Sequence, residues 1–231
     1  MPIVVVQTAI FPITTAKNNW DVTFSAPITS GNVVAIIARL ATSSRTIGTP
    51  TGGGGTFSSV VANNATLWGG LQIWSKVEPN AGVTTYTVTI ASLLTAVGSI
   101  TGYELSGADG ATATASGTGT QATATTSPRM LDTGLDIPSG GIMIGGISTS
   151  FAGNVSWGAL TDPAEFTRSL GVSTGTGQAS HFIGFRTTAG TAIQGTATIA
   201  TARAVYGLAA VWSPASRGGV LRRTNSPVFR M

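Results

Sequence analysis

Residues Gly171-Val172-Ser173-Thr174-Gly175 have the G-x-S-x-G spacing of a nucleophile elbow. In such an elbow a serine on a tight strand-to-helix turn attacks a carbonyl, with a histidine and an acid behind it. The supporting parts are missing here. His181 is the only histidine and lies eight residues on, with no Asp or Glu between, and no helical periodicity follows Ser173. In a chain with 31 glycines the spacing arises by chance, and no catalytic residue is assigned. A single histidine makes no metal cluster. The absence of cysteine excludes disulfides, thiolate metal sites and thiol catalysis. No metal ligand and no cofactor-binding residue is assigned, and the chain is expected not to be an enzyme.

The acids are Asp21, Glu78, Glu104, Asp109, Asp132, Asp136, Asp162 and Glu165. Glycoside hydrolysis needs two carboxyls about 5–9 Å apart across a cleft, and the sequence leaves a pair such as Glu78 and Glu104 open. Asp109-Gly110 and Asp132-Thr133-Gly134 are turn signals. The glycines 52–55 lack the Lys-Ser/Thr of a phosphate loop and read as a flexible hairpin tip. Trp20, Trp68, Trp157 and Tyr103 would make a sugar-stacking platform if exposed on one face. Trp74 and Trp212 sit in apolar strands and read as core.

The C-terminus carries a different chemistry. Residues 216–231, SRGGVLRRTNSPVFRM, hold Arg217, Arg222, Arg223 and Arg230 and no acid. The chain has 12 basic and 8 acidic residues, so the rest of it is neutral. Val220, Leu221, Val228 and Phe229 interleave with the arginines. Apolar anchors beside arginine favour a protein groove over a phosphate backbone. The expected interface residues are therefore Arg217, Leu221, Arg222, Arg223, Phe229 and Arg230, and nucleic acid is not the expected partner.

The elements that must carry these residues are strands. Charged residues are 9% of the 231 positions and hydrophobic ones 42%. That charge is well below the ~25% usual in soluble domains and suits a protein that lives in an assembly. Apolar runs recur between clusters of Gly, Pro, Asn and Ser, the pattern of a sandwich or barrel. Strands are predicted over Val4–Thr8, Asp21–Ser25, Asn32–Leu40, Thr56–Ala62, Leu67–Val77, Thr84–Ala91 and Ser99–Leu105. In the second half they are predicted over Ile142–Ser148, Ser156–Leu160, Phe166–Val172, Ala179–Thr187, Thr196–Ala202 and Val205–Trp212. Asn32–Leu40 should be central. In Thr84–Ala91, Tyr86, Val88 and Ile90 share one face and Thr85, Thr87 and Thr89 the other. Along residues 111–126 the threonines change parity, which demands a break near Gln121 or a hairpin around Gly117–Gly119, unless the segment is a linker. The expected organisation is one antiparallel, jelly-roll-like all-β sandwich over residues 1–215, followed by the tail at 216–231. Residues 1–19 would be an arm or edge strand. The N-terminus has no basic region or cleavage pattern of a signal peptide, and no apolar run is long enough to predict a membrane span.

From Trp20 to Ser216 the order of segments resembles a β-sandwich module of tailed-phage virion proteins and bacterial surface proteins. Gly31-Asn32-Val33-Val34-Ala35-Ile36-Ile37-Ala38 is similar to its opening strand. Ile73-Trp74-Ser75-Lys76-Val77, Gly82 and Thr85-Tyr86-Thr87-Val88-Thr89 are similar to its "W-x-K … G … TVT" stretch. Tyr103-Glu104-Leu105-Ser106-Gly107-Ala108-Asp109 and Ala209-Ala210-Val211-Trp212-Ser213-Pro214-Ala215 are similar to its later segments. The resemblance implies a β-sandwich and carries no catalytic residues. The chain departs from it in standing alone and in its basic tail, which favours a virion component. The implied role is a non-enzymatic decoration or cement protein on the outer surface of a virion. It would bind the major capsid protein or another virion protein, as a homo-oligomer with a trimer favoured. The alternative is a carbohydrate-binding module of a tail fibre, spike or head fibre, contacting glycans through Trp20, Trp68, Tyr103 and Trp157.

Overall fold

The computed structural model describes residues 1–13, 18–40, 47–65, 69–90, 98–149, 163, 165–172, 181–199 and 202–216. Within them the fold is all-β and antiparallel, with no helix. The first half holds β1 (Val4–Ile13), β2 (Asn19–Thr23), β3 (Val33–Leu40), β4 (Ser58–Ala65), β5 (Gly69–Val77), β6 (Thr85–Thr89) and β7 (Gly98–Ser106). The second holds β8 (Ala115–Thr125), β9 (Leu135–Ile137), β10 (Ile142–Thr149), β11 (Thr167–Val172), β12 (His181–Arg186), β13 (Gly190–Ile193) and β14 (Arg203–Trp212).

The two halves follow one plan. The first five-stranded sheet runs β1-β7-β3-β5-β4, and a two-stranded sheet pairs β2 with β6. Adding seven to each strand number gives β8-β14-β10-β12-β11 and β9 with β13, which are the other two sheets. The register repeats as well. The first residue of β3, Val33, faces Leu105 on β7, and the first residue of β10, Ile142, faces Trp212 on β14. The second residues, Val34 and Met143, face Lys76 on β5 and Arg186 on β12. Where the sequence points to one sandwich over residues 1–215, the structure describes two sandwich-like units of the same topology.

The units share a core. All eight residues of β3 are buried. Its even positions, Val34, Ile36, Ala38 and Leu40, pack under β2 and β6 with Trp20, Val22, Tyr86 and Val88. Its odd positions Val33, Ala35 and Ile37 join Ile142, Ile144, Leu208, Ala210 and Trp212 of the second unit. β10 is likewise buried throughout, and its other face packs Met143 and Ile147 against Met130, Leu131 and Ile137. Four layers result: a small sheet, two large sheets back to back, and a second small sheet. Polar bonds cross the middle. Arg39 Nε donates to Ser148 Oγ at 2.8 Å. Asn63 Nδ2 donates to the carbonyls of Gly119 and Gly207 at 3.0 and 2.9 Å. Ser75 Oγ and Trp212 Nε1 both donate to the Ala111 carbonyl. Gly146 lies opposite Ile37, where an added Cβ would stand 3.3 Å from the Ile37 Cδ1. Absence of a side chain on one strand lets the central strands approach.

Several expectations meet the structure directly. Asn32–Leu40 becomes the middle strand of its sheet. Tyr86, Val88 and Ile90 are buried together, while Thr85, Thr87 and Thr89 bond across to Thr23, Asp21 and Asn19. The N-terminal residues form an edge strand, β1, whose Pro12 suits an edge because it cannot donate to a ladder. Residues 115–125 are a strand, neither hairpin nor linker, and the register against β14 shifts between Gln121 and Thr125, close to where the sequence expects a break. Two short strands, β9 and β13, form where none is predicted. In the predicted strand over Thr196–Ala202, Thr196 bridges Arg129 and Ile199 is a second bridge position, while residues 200–201 lie outside the described residues, as does Ser156–Leu160.

The shared core gives a test. A protease site placed in the connector between Ser106 and Ala115 should, after cleavage, leave two fragments that co-elute as one particle on size exclusion. Fragments that separate under native conditions would contradict the packing.

Candidate functional site

Among the described residues a buried group of ionisable side chains lies at one end of the first unit, where the strand period puts it. Trp74, Lys76 and Glu78 sit at alternate positions and point to the same face of the sheet. Trp74 packs in the core there, and Lys76 and Glu78 are buried with it. The pair is close, Lys76 Nζ to Glu78 Oε2 at 2.9 Å. Lys76 Nζ also donates to the carbonyls of Gly52 and Gly54, each at 2.7 Å. It lies 4.8 and 4.7 Å from the ring centres of Phe57 and Tyr86, within cation–π range. Glu78 Oε1 accepts the N–H groups of Gly54 and Asn80, and Oε2 accepts the Tyr86 hydroxyl at 2.8 Å.

Glu104 is the second buried carboxylate. Its Oε1 accepts the Thr29 N–H at 2.9 Å and Asn32 Nδ2 at 2.7 Å, and its Oε2 accepts Gln7 Nε2 at 2.6 Å. Backbone bonds tie the two centres: Gly31 N–H reaches the Glu78 carbonyl, and Glu78 N–H reaches the Asn32 carbonyl.

The chemistry follows from these partners. Burial alone would raise the Glu78 pKa. Hydrogen bonds from Lys76, Gly54, Tyr86 and Asn80 outweigh that and hold it below the ordinary carboxylate range. Glu104 behaves in the same way: burial opposes, and bonds from Gln7, Thr29 and Asn32 win. Tyr86 is pushed up by burial and by the neighbouring Glu78. A glycosidase acid needs a raised pKa and a free oxygen aimed at a leaving group. Glu78 and Glu104 have neither, so the pair left open by the sequence is a structural network that fixes charge in place. The Gly52–Gly55 segment also differs from expectation. It is clamped over Lys76 and Glu78, and Gly53, at φ 65°, is a position where an added Cβ would strike the Glu78 carboxylate. Sequence reasoning passed over this network. Its signal was two opposite charges, two residues apart, at the end of one apolar strand.

The predicted site residues fare as follows. Trp20 and Tyr103 are core residues, 2% and 0% exposed. They cannot offer a stacking face, because Trp20 closes the first sandwich and Tyr103 packs edge-on against Phe185 between the units. Trp68 and Trp157 lie outside the described residues, as do Ser173 and the tail residues Arg217, Leu221, Arg222, Arg223, Phe229 and Arg230. His181 is buried on β12. Among the described residues no group of three or more His, Cys, Asp or Glu is placed to hold a metal ion. No protein-family model, no curated protein and no solved structure matches the chain.

Two consequences can be measured. Glu78→Gln leaves Lys76 as an uncompensated buried charge, so urea unfolding should show a loss of about 3–5 kcal/mol. Acid should also weaken the fold. A carboxylate with a depressed folded pKa adds stability that is full above the unfolded carboxylate's titration and is lost as pH falls through the folded one. The urea midpoint should therefore drop as the pH falls below about 5, and drop less steeply in Glu104→Gln. An equal slope in the variant would contradict the assignment.

Proposed function

We propose that the chain is a non-enzymatic structural protein of a phage virion, which decorates or cements the capsid surface through contacts between protein copies and through its basic C-terminal tail. The observation that carries the contact role is where the exposed apolar side chains lie. Among the described residues the exposed large hydrophobics are Met1, Val4, Val6, Ile10, Phe11 and Val77. Five of these six fall in the first eleven residues, four of them on the edge strand β1. A long apolar edge is a template for pairing with another chain, and scattered exposure would carry no such meaning. The buried carboxylates of the first unit are spent on the fold, which leaves no acid–base pair there for hydrolysis.

The virion location is supported by the four resembling segments. The structure gives their residues structural reasons. Asn32, Lys76, Tyr86 and Glu104 all belong to the buried network or bond to it. Ala209, Val211 and Trp212 are core. A module recognised by such residues is recognised by its architecture, and its work is done at its surface. Four exposed arginines would each add only about 0–1 kcal/mol, so attachment in this reading needs many copies acting together or burial of Phe229 and its neighbours.

The experiment is removal of residues 217–231. The shortened chain should fold with an unchanged urea midpoint and lose its loading onto capsids. Normal loading would overturn the role of the tail.

A further inference from the structure

The edge strand and the tail meet at one corner of the molecule. β14 ends there, and the chain continues with Ala108 bridged to Pro214 and the Ala215 N–H bonded to the Gly107 carbonyl at 2.8 Å. A hollow of about 430 Å³ at this corner is lined by Met1, Pro2, Gly140 and Pro214. A second hollow of about 400 Å³ shares Pro2 and Gly140 with it, and continues past Ile3, Val4 and Val5 to Phe185. Beyond it Val4, Val6, Ile10 and Phe11 of β1 are exposed, Ile10 and Phe11 on opposite faces of the strand. Among the described residues β1 pairs with β7 on one side and with no strand on the other.

β8 holds the same place in the second unit and is treated differently. Its exposed positions are Ser116, Thr118, Thr120, Ala122, Thr123 and Ala124. Hydroxyls and small side chains make a poor apolar template, whereas β1 offers Val, Ile and Phe. The contrast within one repeated plan marks β1 as an edge kept for a partner.

We propose that the partner is the C-terminal segment of a second copy of this chain, added as a strand to the free edge of β1. Residues 217–231 would span roughly 50 Å if extended, more than the ~33 Å of a ten-residue strand. β1 carries no charged side chain. Val220, Leu221, Val228 and Phe229 would supply apolar groups for the exposed side chains of β1 and for the hollow beside Phe185. The choice of a second copy follows from strand sense. Every strand pair described in the molecule is antiparallel. The chain's own tail leaves beside the start of β1 and would run along it in parallel, whereas the tail of another molecule can approach from the far end in the antiparallel sense, which pairs slightly better. This deepens the proposed contact role by naming the surface and the segment. It rests on β1 and the tail and does not require a capsid.

Hydrogen exchange on the full chain and on a chain ending at Ser216 tests it, each at high and low protein concentration. In the full chain, alternate β1 amides should be protected at high concentration and exchange about ten-fold faster on dilution. The shortened chain should lack this protection at both concentrations, with β3 and β10 unchanged. Adding a peptide of residues 217–231 to the shortened chain should restore it, and a peptide with Leu221→Asp and Phe229→Asp should not. Equal β1 exchange in both chains would overturn the docking. Protection by the tail that is independent of concentration would overturn the second copy and leave the chain's own tail as occupant. If β1 protection follows the tail as expected while capsid loading is indifferent to it, the docking stands and the virion reading falls.

Discussion

A β-strand alternates its side chains, so a strand with every residue buried needs a dry surface on both sides. β3 and β10 are such strands, and the rest of the architecture answers that requirement. Each large sheet is covered on one face by its own two-stranded sheet and on the other by the large sheet of the sister unit. Burying a Val, Leu, Ile or Phe side chain contributes roughly 1.5–3 kcal/mol, and the shared face alone places Val33, Ile37, Leu71, Ile73, Leu105, Ile142, Ile144, Leu208 and Trp212 out of water. Neither unit could leave that face open without exposing an apolar patch of a size soluble monomers avoid. The two units are therefore one structure, although each has its own topology and its own second core.

The repeated plan explains where polar residues were admitted. At the middle of the molecule, Arg39 and Ser148 hold corresponding places on β3 and β10 and bond to each other across the layers. Burial lowers the Arg39 pKa, and the neighbouring Tyr206 partly offsets this. At one end of the first unit the basic residue on β5, Lys76, is paired with Glu78 and fully buried. Its counterpart on β12, Arg186, pairs with the more exposed Glu165. One plan thus carries a sealed ion pair in one copy and a surface one in the other. Breaking the sealed pair leaves an unmatched buried charge, so such groups specify a geometry more than they add net stability.

Much of the fold was legible in the sequence. Strict alternation in Thr84–Ala91 gave a half-buried strand, and the uninterrupted run at Asn32–Leu40 gave a central one. The threonine parity in residues 111–126 pointed to a break near Gln121, where the register against β14 shifts. The duplication was hidden, because it lives in strand order and register and not in residue identity: Leu105 corresponds to Trp212, and Lys76 to Arg186. The short strands β9 and β13 carry no run long enough to show a period. At the site, Trp20 and Tyr103 read from sequence as candidates for exposed aromatics. Their burial depends on which strand lies over them, which local pattern does not contain. The Lys76–Glu78 network was visible as charge in an apolar strand, but its meaning came only with the partners Gly52, Gly54 and Tyr86.

The central claim is that the two units stand on one common core. Equilibrium unfolding in urea, followed by hydrogen exchange at β7 of the first unit and at β14 of the second, tests this most directly. The account expects both strands to lose protection with the same midpoint in a single transition. A concentration of urea at which one strand is open while the other stays protected would contradict it.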